Sequence, residues 1–169
     1  MKLVAPPLLL LLTACQVLDE DGSRSGQVPP GSVVELHQDV TIPSDQAGVF
    51  IQGTPIGDRY RHDAACRLEL RTVAPEPRTV RADRFNIERV NRTSELFSRR
   101  ATDLQPARFY PFRDGPHLLT FTTYLYLSSE RQPDVSRLVC AHLQSSDQNP
   151  RHLTAGEMRT VLAPIMSLY

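Results

Sequence analysis

The sequence predicts an α+β domain, in which a mostly antiparallel β-sheet carries a C-terminal α-helix. Two observations lead to this class. Apolar and polar residues alternate with a period of two in several short segments from residue 32 onward, which is typical of a sheet with one face on a core. Near the C-terminus the period changes to that of a helix. We expect the sheet to be sandwich-like or to curl into a partial barrel.

Six segments alternate as strands do. In the first, Val34, Leu36, Val40 and Ile42 share one face, and Gln38 is the exception. The fifth shows the clearest alternation, because leucine and phenylalanine side chains there alternate with threonine and tyrosine side chains. The predicted strands cover residues 32–42, 49–51, 66–71, 84–88, 118–127 and 138–143.

The fourth predicted strand loses its alternation after Phe85 and Ile87. Arg89 and Val90 break the phase, which indicates either a β-bulge or the end of the strand. Two further segments, residues 54–65 and 98–115, are long, polar and contain proline, so we predict loops there.

The predicted helix begins near Thr154. Thr154 and Glu157 have the spacing of a capping box, in which each side chain accepts a hydrogen bond from a free backbone amide at the helix start. Because Pro164 lacks an amide hydrogen, we expect the helix to kink or stop there. The apolar stripe of this helix is expected to contain Met158, Val161, Leu162, Ile165 and Leu168.

Length and composition fit one ordinary domain. The chain has 169 residues, of which 40% are hydrophobic and 22% charged, so it can bury a core. Nineteen basic residues balance nineteen acidic ones. This neutrality argues against a nucleic-acid partner, because phosphate binding needs a surplus of positive charge on one face.

The first fifteen residues have the layout of a secretory signal peptide. Lys2 supplies a positive charge, residues 3–12 are apolar and interrupted only by two prolines, and small residues follow. The apolar run is too short to cross a bilayer, which takes about twenty residues. A transmembrane anchor is therefore not expected.

The segment Leu12-Thr13-Ala14-Cys15 resembles the lipobox of bacterial lipoproteins. The resemblance implies cleavage of residues 1–14 and attachment of diacylglycerol to Cys15, whose acyl chains would anchor the chain to a membrane. In Gram-negative lipoproteins an aspartate after the lipidated cysteine commonly signals inner-membrane retention. Gln16 stands there instead. The resemblance therefore implies an outer-membrane protein that faces the periplasm.

Residues 15–31 are predicted to form the lipidated N-terminus and a flexible tether. This stretch is rich in Gly, Ser, Pro and acidic residues and has few side chains to bury, so it cannot recover its ordering entropy. Residues 32–169 then form a single globular domain rich in β-structure.

Lipidation of Cys15 would leave two cysteines, Cys66 and Cys140. In the oxidising compartment that the lipobox implies, such a pair is expected to be joined. Both cysteines lie in predicted strands among apolar neighbours. We therefore add one disulfide to the predicted fold, and the alternative is a pair of buried thiols.

No catalytic or metal-binding constellation stands out. His142 is near Cys140, but a disulfide removes the nucleophile that a Cys–His pair needs. His62 and Asp63 are flanked by arginines that repel a cation, and a metal site requires three or four convergent ligands. We expect no metal, no cofactor and no catalytic residue.

Aromatic and arginine side chains are the candidates for binding. The possible interaction surface consists of Phe109, Tyr110, Phe112, Tyr124 and Tyr126, since aromatic residues dominate protein interfaces. The alternative for the first three is packing of their loop on the core. A locally basic stretch, interrupted by carboxylates, favours a salt-bridged strand face over an anion-binding patch; its arginines are Arg78, Arg81, Arg84, Arg89, Arg92, Arg99 and Arg100.

Three functions stay open at this point. The leading hypothesis is a membrane-anchored, non-enzymatic envelope lipoprotein that binds or supports another envelope protein. The second is a small-ligand or lipid-binding module with an apolar cavity lined by residues such as Phe121 and Leu125. The third is a hydrolase with an unrecognised site, which a cleft around His62 and Asp63 would favour. The sequence does not indicate an oligomeric state.

Overall fold

The computed structural model describes residues 26–57, 63–96 and 118–169 of the chain. Within these ranges the backbone forms ten strands and one helix. In chain order the elements are β1 (Val33–Leu36), β2 (Val40–Ile42), β3 (Gly48–Ile51), β4 (Pro55–Gly57), β5 (Ala65–Leu70), β6 (Arg78–Val80), β7 (Asp83–Leu96), β8 (Leu118–Ser128), β9 (Val135–Ser145), α1 (Ala155–Leu162) and β10 (Met166–Leu168).

Eight strands form one sheet in the order β10-β1-β7-β8-β9-β5-β3-β4, and β2 pairs with β6 in a second sheet. All of these pairings are antiparallel. The large sheet curls into a half-barrel. The predicted α+β class, with a mostly antiparallel sheet and a C-terminal helix, is therefore confirmed.

The first predicted strand is two strands. Val34, Leu36, Val40 and Ile42 are all buried, as the alternation predicts. The exception, Gln38, is exposed and lies in a bend between β1 and β2. Because the chain turns there, β1 joins the large sheet and β2 joins the small one.

The break in phase on β7 is a β-bulge and not a strand end. Ile87 pairs with Leu127 and Arg89 pairs with Tyr126, so one extra residue, Glu88, lies between two consecutive pairs. The strand continues to Leu96. The bulge changes which side chains face the core, with consequences for the arginines that follow it.

Three strands were not predicted, namely β4, β6 and β10. Each has three residues, which is too short for a period of two to be recognised. The segment 54–65 is therefore not entirely a loop, because β4 pairs with β3.

The capping box at the start of α1 is confirmed. Thr154 Oγ1 accepts a hydrogen bond from the Glu157 amide, and a Glu157 carboxylate oxygen accepts one from the Thr154 amide. The helix ends at Leu162, two residues before Pro164. Ile165 and Leu168 are buried as expected, but not on a helical stripe: Ile165 lies in a turn, and Leu168 belongs to β10, which pairs with β1.

The predicted disulfide joins Cys66 to Cys140. The two residues are directly opposite each other on β5 and β9, and both are fully buried. The bond therefore links adjacent strands at the centre of the sheet.

The core is one continuous apolar cluster between the concave face of the sheet, the β2–β6 pair and α1. The N-terminal part of the described chain belongs to it, because Val28 is buried. Gly26 accepts a hydrogen bond from the Ala155 amide, and Gly31 donates one to Ile87. The folded domain thus includes residues 26–31, which the composition assigns to the tether.

Among the described residues, no helix is long and apolar enough to span a membrane.

Candidate functional site

The two predicted aromatics on β8, Tyr124 and Tyr126, lie on the face of the sheet that points away from the core. Their neighbours Thr123, Leu125 and Leu127 are buried on the other face. Both tyrosines are half-buried. Arginine side chains from the two neighbouring strands lie over their rings.

A row of side chains crosses the sheet at the level of Tyr126. Register places Tyr126 between Arg89 on β7 and Arg137 on β9, and places Glu69 on β5 beside Arg137. Gly48 on β3 ends the row. Positive, aromatic, positive and negative side chains therefore follow one another on four adjacent strands.

The arginines in and next to this row lie over aromatic rings. The Arg89 guanidinium carbon is 3.9 Å from the centre of the Tyr126 ring, and that of Arg137 is 5.1 Å from the centre of the Tyr124 ring. Both distances fit cation–π contacts. Arg67 on β5 lies over Phe50 on β3 in the same way, at 5.4 Å.

Glu69 connects two of these arginines. Its carboxylate accepts hydrogen bonds of 2.6 Å from Arg67 Nη1 and from Arg137 Nε. The Glu69 side chain is only 11% exposed, whereas the two arginines are about one-third exposed. The hydrogen bond to Glu69 raises the pKa of Arg137. A Cβ at Gly48 would lie 3.1 Å from Glu69 Cγ, so glycine leaves room for this side chain.

We call these side chains together the arginine–tyrosine face. Because Glu69 neutralises only one of its three arginines, the face carries an excess of two positive charges. Arginine and tyrosine are also the residue types that concentrate binding energy in protein interfaces. The face consists of Phe50, Arg67, Glu69, Arg89, Tyr124, Tyr126 and Arg137.

The remaining predicted arginines do not form one surface. Arg78 binds Asp134 at 2.6 Å, and Arg84 lies 3.9 Å from Glu35, as in the salt-bridged face that the sequence favours. Arg92 is different, because it faces the core side of the sheet and forms no ion pair within the described chain. Arg99 and Arg100 lie outside the described residues.

One buried carboxylate was missed by the sequence reading. Asp83, at the start of β7, has a side chain that is 3% exposed. It accepts hydrogen bonds from Ser129, Arg131 and Gln132, which form the turn between β8 and β9. All of these partners come from one turn, so the arrangement fixes the β8–β9 hairpin to β7 and is structural.

The other sequence candidates are not assembled into a site by the described residues. Cys140 is consumed by the disulfide, so the Cys140–His142 pair has no nucleophile. Asp63 is exposed, and His62 lies outside the described residues. Within residues 26–57, 63–96 and 118–169, no three His, Cys, Asp or Glu side chains are close enough to hold a metal ion.

Four further predicted residues, Cys15, Phe109, Tyr110 and Phe112, also lie outside the described residues. Their predicted roles therefore stay predictions.

The apolar cavity expected for a ligand-binding module can be examined at Leu125. This side chain is fully buried within the core cluster. Two clefts, of about 410 and 550 Å³, lie elsewhere: the first is beside Leu118 and Gln144, and the second is between the N-terminal segment and Arg159. The other residue expected to line this cavity, Phe121, is half-buried.

Comparisons with protein-family models, with curated proteins and with solved structures find no match to this chain.

Proposed function

We propose that this protein is a lipid-anchored, non-enzymatic lipoprotein of the bacterial envelope, and that its arginine–tyrosine face binds another envelope protein. The lipobox at Leu12–Cys15 supports the anchor. The disulfide between Cys66 and Cys140 supports maturation outside the cytoplasm, since such bonds persist in oxidising compartments.

The observation that carries the binding proposal is the Arg89–Tyr126–Arg137 row. Arg137 is hydrogen-bonded to Glu69, and Arg89 lies over the Tyr126 ring, so part of the side-chain entropy of this row is already lost before binding. Rigid aromatic and arginine side chains of this kind act as binding hot spots.

The charge of the face indicates the chemistry of the partner. Its excess of two positive charges favours a protein surface that presents carboxylates. The tyrosine rings supply apolar area between the charges. We therefore expect an acidic envelope protein, bound with an affinity that falls as ionic strength rises.

Mass spectrometry of the protein from native membranes tests the anchor. The mature chain is expected to begin at Cys15 with a diacylglycerol thioether, and Cys15→Ser is expected to accumulate with residues 1–14 attached. A mature wild-type chain that keeps Met1, or that starts elsewhere without lipid, would refute the lipoprotein assignment.

Crosslinking in intact cells tests the face. Wild type, Arg89→Ala and Tyr126→Ala are compared with Arg84→Ala, a control on the same strand whose side chain is 67% exposed. We expect the wild type and the control to recover the same acidic protein, and the two face variants to recover about tenfold less of it. Equal recovery by all four proteins, or no specific partner, would contradict the proposal.

A further inference from the structure

A second candidate site lies on the opposite side of the sheet, around Arg92. The bulge at Glu88 returns Val90 and Arg92 to the core side of β7, and Val90 packs against the core. Arg92 pairs with Thr123, which is fully buried. An arginine therefore lies where the apolar core ends.

Two nitrogen atoms of this guanidinium lack partners. Arg92 Nε and Nη2 each expose less than 1 Å² and have no hydrogen-bond partner within the described chain. These two atoms form one edge of the guanidinium, and that edge donates two parallel hydrogen bonds to a carboxylate or phosphate. Leaving both donors unpaired in a buried place is unfavourable, so the geometry calls for an oxyanion.

The cavity beside Arg92 has the size for a small ligand. Its volume is about 230 Å³, and its lining includes Gln27, Arg151, His152 and Thr154. Pockets for drug-sized ligands are larger, from about 300 to 1,000 Å³. This cavity fits a phosphate or a small carboxylate.

The positive charge of this cavity belongs to Arg92. Arg151 is already matched, because its two terminal nitrogens bind both carboxylate oxygens of Glu157 at 2.7 and 2.8 Å. His152 lies 3.5 Å from Thr123 Oγ1 through Nδ1. Burial lowers the pKa of His152, and the charge of Arg92 lowers it further.

We propose that this cavity binds a small oxyanion, a phosphate or a carboxylate, through the Nε and Nη2 edge of Arg92. In this structure the edge is shielded from solvent, so the proposal requires the guanidinium to turn this edge toward the cavity when the anion enters. Gln27 and Thr154, which line the same cavity, provide further polar groups. The site is on the other side of the sheet from the arginine–tyrosine face and does not depend on the function proposed for that face.

Calorimetric titration of the full chain in detergent tests this proposal. The probes are sodium phosphate and sodium acetate, with sodium chloride at the same ionic strength as the reference. We expect saturable binding of one ion per chain for phosphate, acetate or both. Binding of only one of them identifies the tetrahedral or the planar anion as the ligand class.

Two variants separate the site from general electrostatics. Arg92→Gln is expected to weaken binding at least about tenfold, and Arg92→Lys is expected to weaken it too, because lysine keeps the charge but lacks the bidentate edge. Arg84→Gln removes an arginine of the same strand and should leave binding unchanged.

Either of two results would overturn the proposal: no saturable binding of phosphate or acetate above the chloride reference, or unchanged binding by Arg92→Gln. Should that variant fail to fold, the backbone amide chemical shifts of the wild type, measured by NMR during the titration, provide the test. In that case phosphate or acetate must shift the amides of Gln27, His152 and Thr154 and leave Tyr126 unmoved. Absence of these shifts excludes the site.

Discussion

Glu69 is the side chain on which the arginine–tyrosine face depends, and Glu69→Gln removes its charge with little change of shape. The carboxylate accepts hydrogen bonds from Arg67 and Arg137 through different oxygens. Glutamine keeps one oxygen and replaces the other by an amide nitrogen. One arginine then faces a donor in place of an acceptor.

The expected loss follows from the exposure of the three groups. A hydrogen bond to a charged group contributes about 1.5–3 kcal/mol to stability. Glu69 is 11% exposed, but Arg67 and Arg137 are 30% and 35% exposed, so water can solvate the arginine that loses its partner. We therefore expect Glu69→Gln to lower the free energy of unfolding by about 2 kcal/mol, near the lower end of that range.

Urea denaturation without reducing agent measures this loss, provided that the dependence of the unfolding free energy on urea is the same in the variant. Glu35→Gln is the matched control. Glu35 and Arg84 are 3.9 Å apart and more exposed, so its loss is expected to stay below about 0.5 kcal/mol. In a double-mutant cycle, Glu69→Gln and Arg137→Gln should couple by about 1 kcal/mol. Equal losses for Glu69→Gln and the control, or zero coupling, would refute the reasoning.

Three further predictions concern single features of the fold. Replacing Cys66 and Cys140 together by alanine opens a loop with a sequence separation of 74 residues. We expect this change to lower the free energy of unfolding, measured in urea, by about 4 kcal/mol. A loss below about 1 kcal/mol would contradict a structural role of the disulfide. The Arg151 hydrogen bond lowers the pKa of Glu157 to about 2 from 4.5, so its contribution is complete above about pH 5 and is lost as the pH falls toward 2. Because this carboxylate is 42% exposed, we expect Glu157→Gln to cost only about 1 kcal/mol at pH 7 and to abolish that part of the acid dependence in thermal unfolding curves. A Cβ at Gly48 would lie 2.4 Å from a backbone oxygen of β5, so Gly48→Ala should lower the melting temperature by about 10 °C or more, and a shift below about 2 °C would argue against this close approach.

The fold class could be predicted because alternation reports burial directly. Phe85, Leu125 and Leu127 face the core because every second residue of a strand does. The start of the helix could also be predicted from nearby residues, since a capping box involves residues only three positions apart. The pairing of β10 with β1 is not local: Val34 and Leu168 are opposite each other although they are 134 residues apart in sequence. No period in the sequence carries that information.

The candidate site could be predicted only in part, for the same reason. The outward position of Tyr124 and Tyr126 follows from the alternation of β8. Their arginine partners follow from the strand order β7-β8-β9-β5, which places Arg89 and Arg137 on either side of Tyr126. The alternation within β5 predicts that residues such as Glu69 point outward. It does not predict which residues of the adjacent strands lie beside them.

The bulge at Glu88 links the two candidate sites. It changes the phase of β7 by one residue, which puts Arg89 on the outer face beside Tyr126 and Arg92 on the inner face beside Thr123. Without the extra residue, Arg89 would point into the apolar core and Arg92 would point outward. A charged residue inside the core would be far more costly than the bulge itself. The same residue is therefore needed for core packing, for the arginine–tyrosine face and for the cavity at Arg92.

The row Arg92–Thr123–Cys140–Cys66 marks where the apolar core ends. Beyond it, β7, β8 and β9 continue together, but their inner face carries half-buried or exposed residues such as Phe121 and His142. The disulfide links β5 to β9 at the root of this extension.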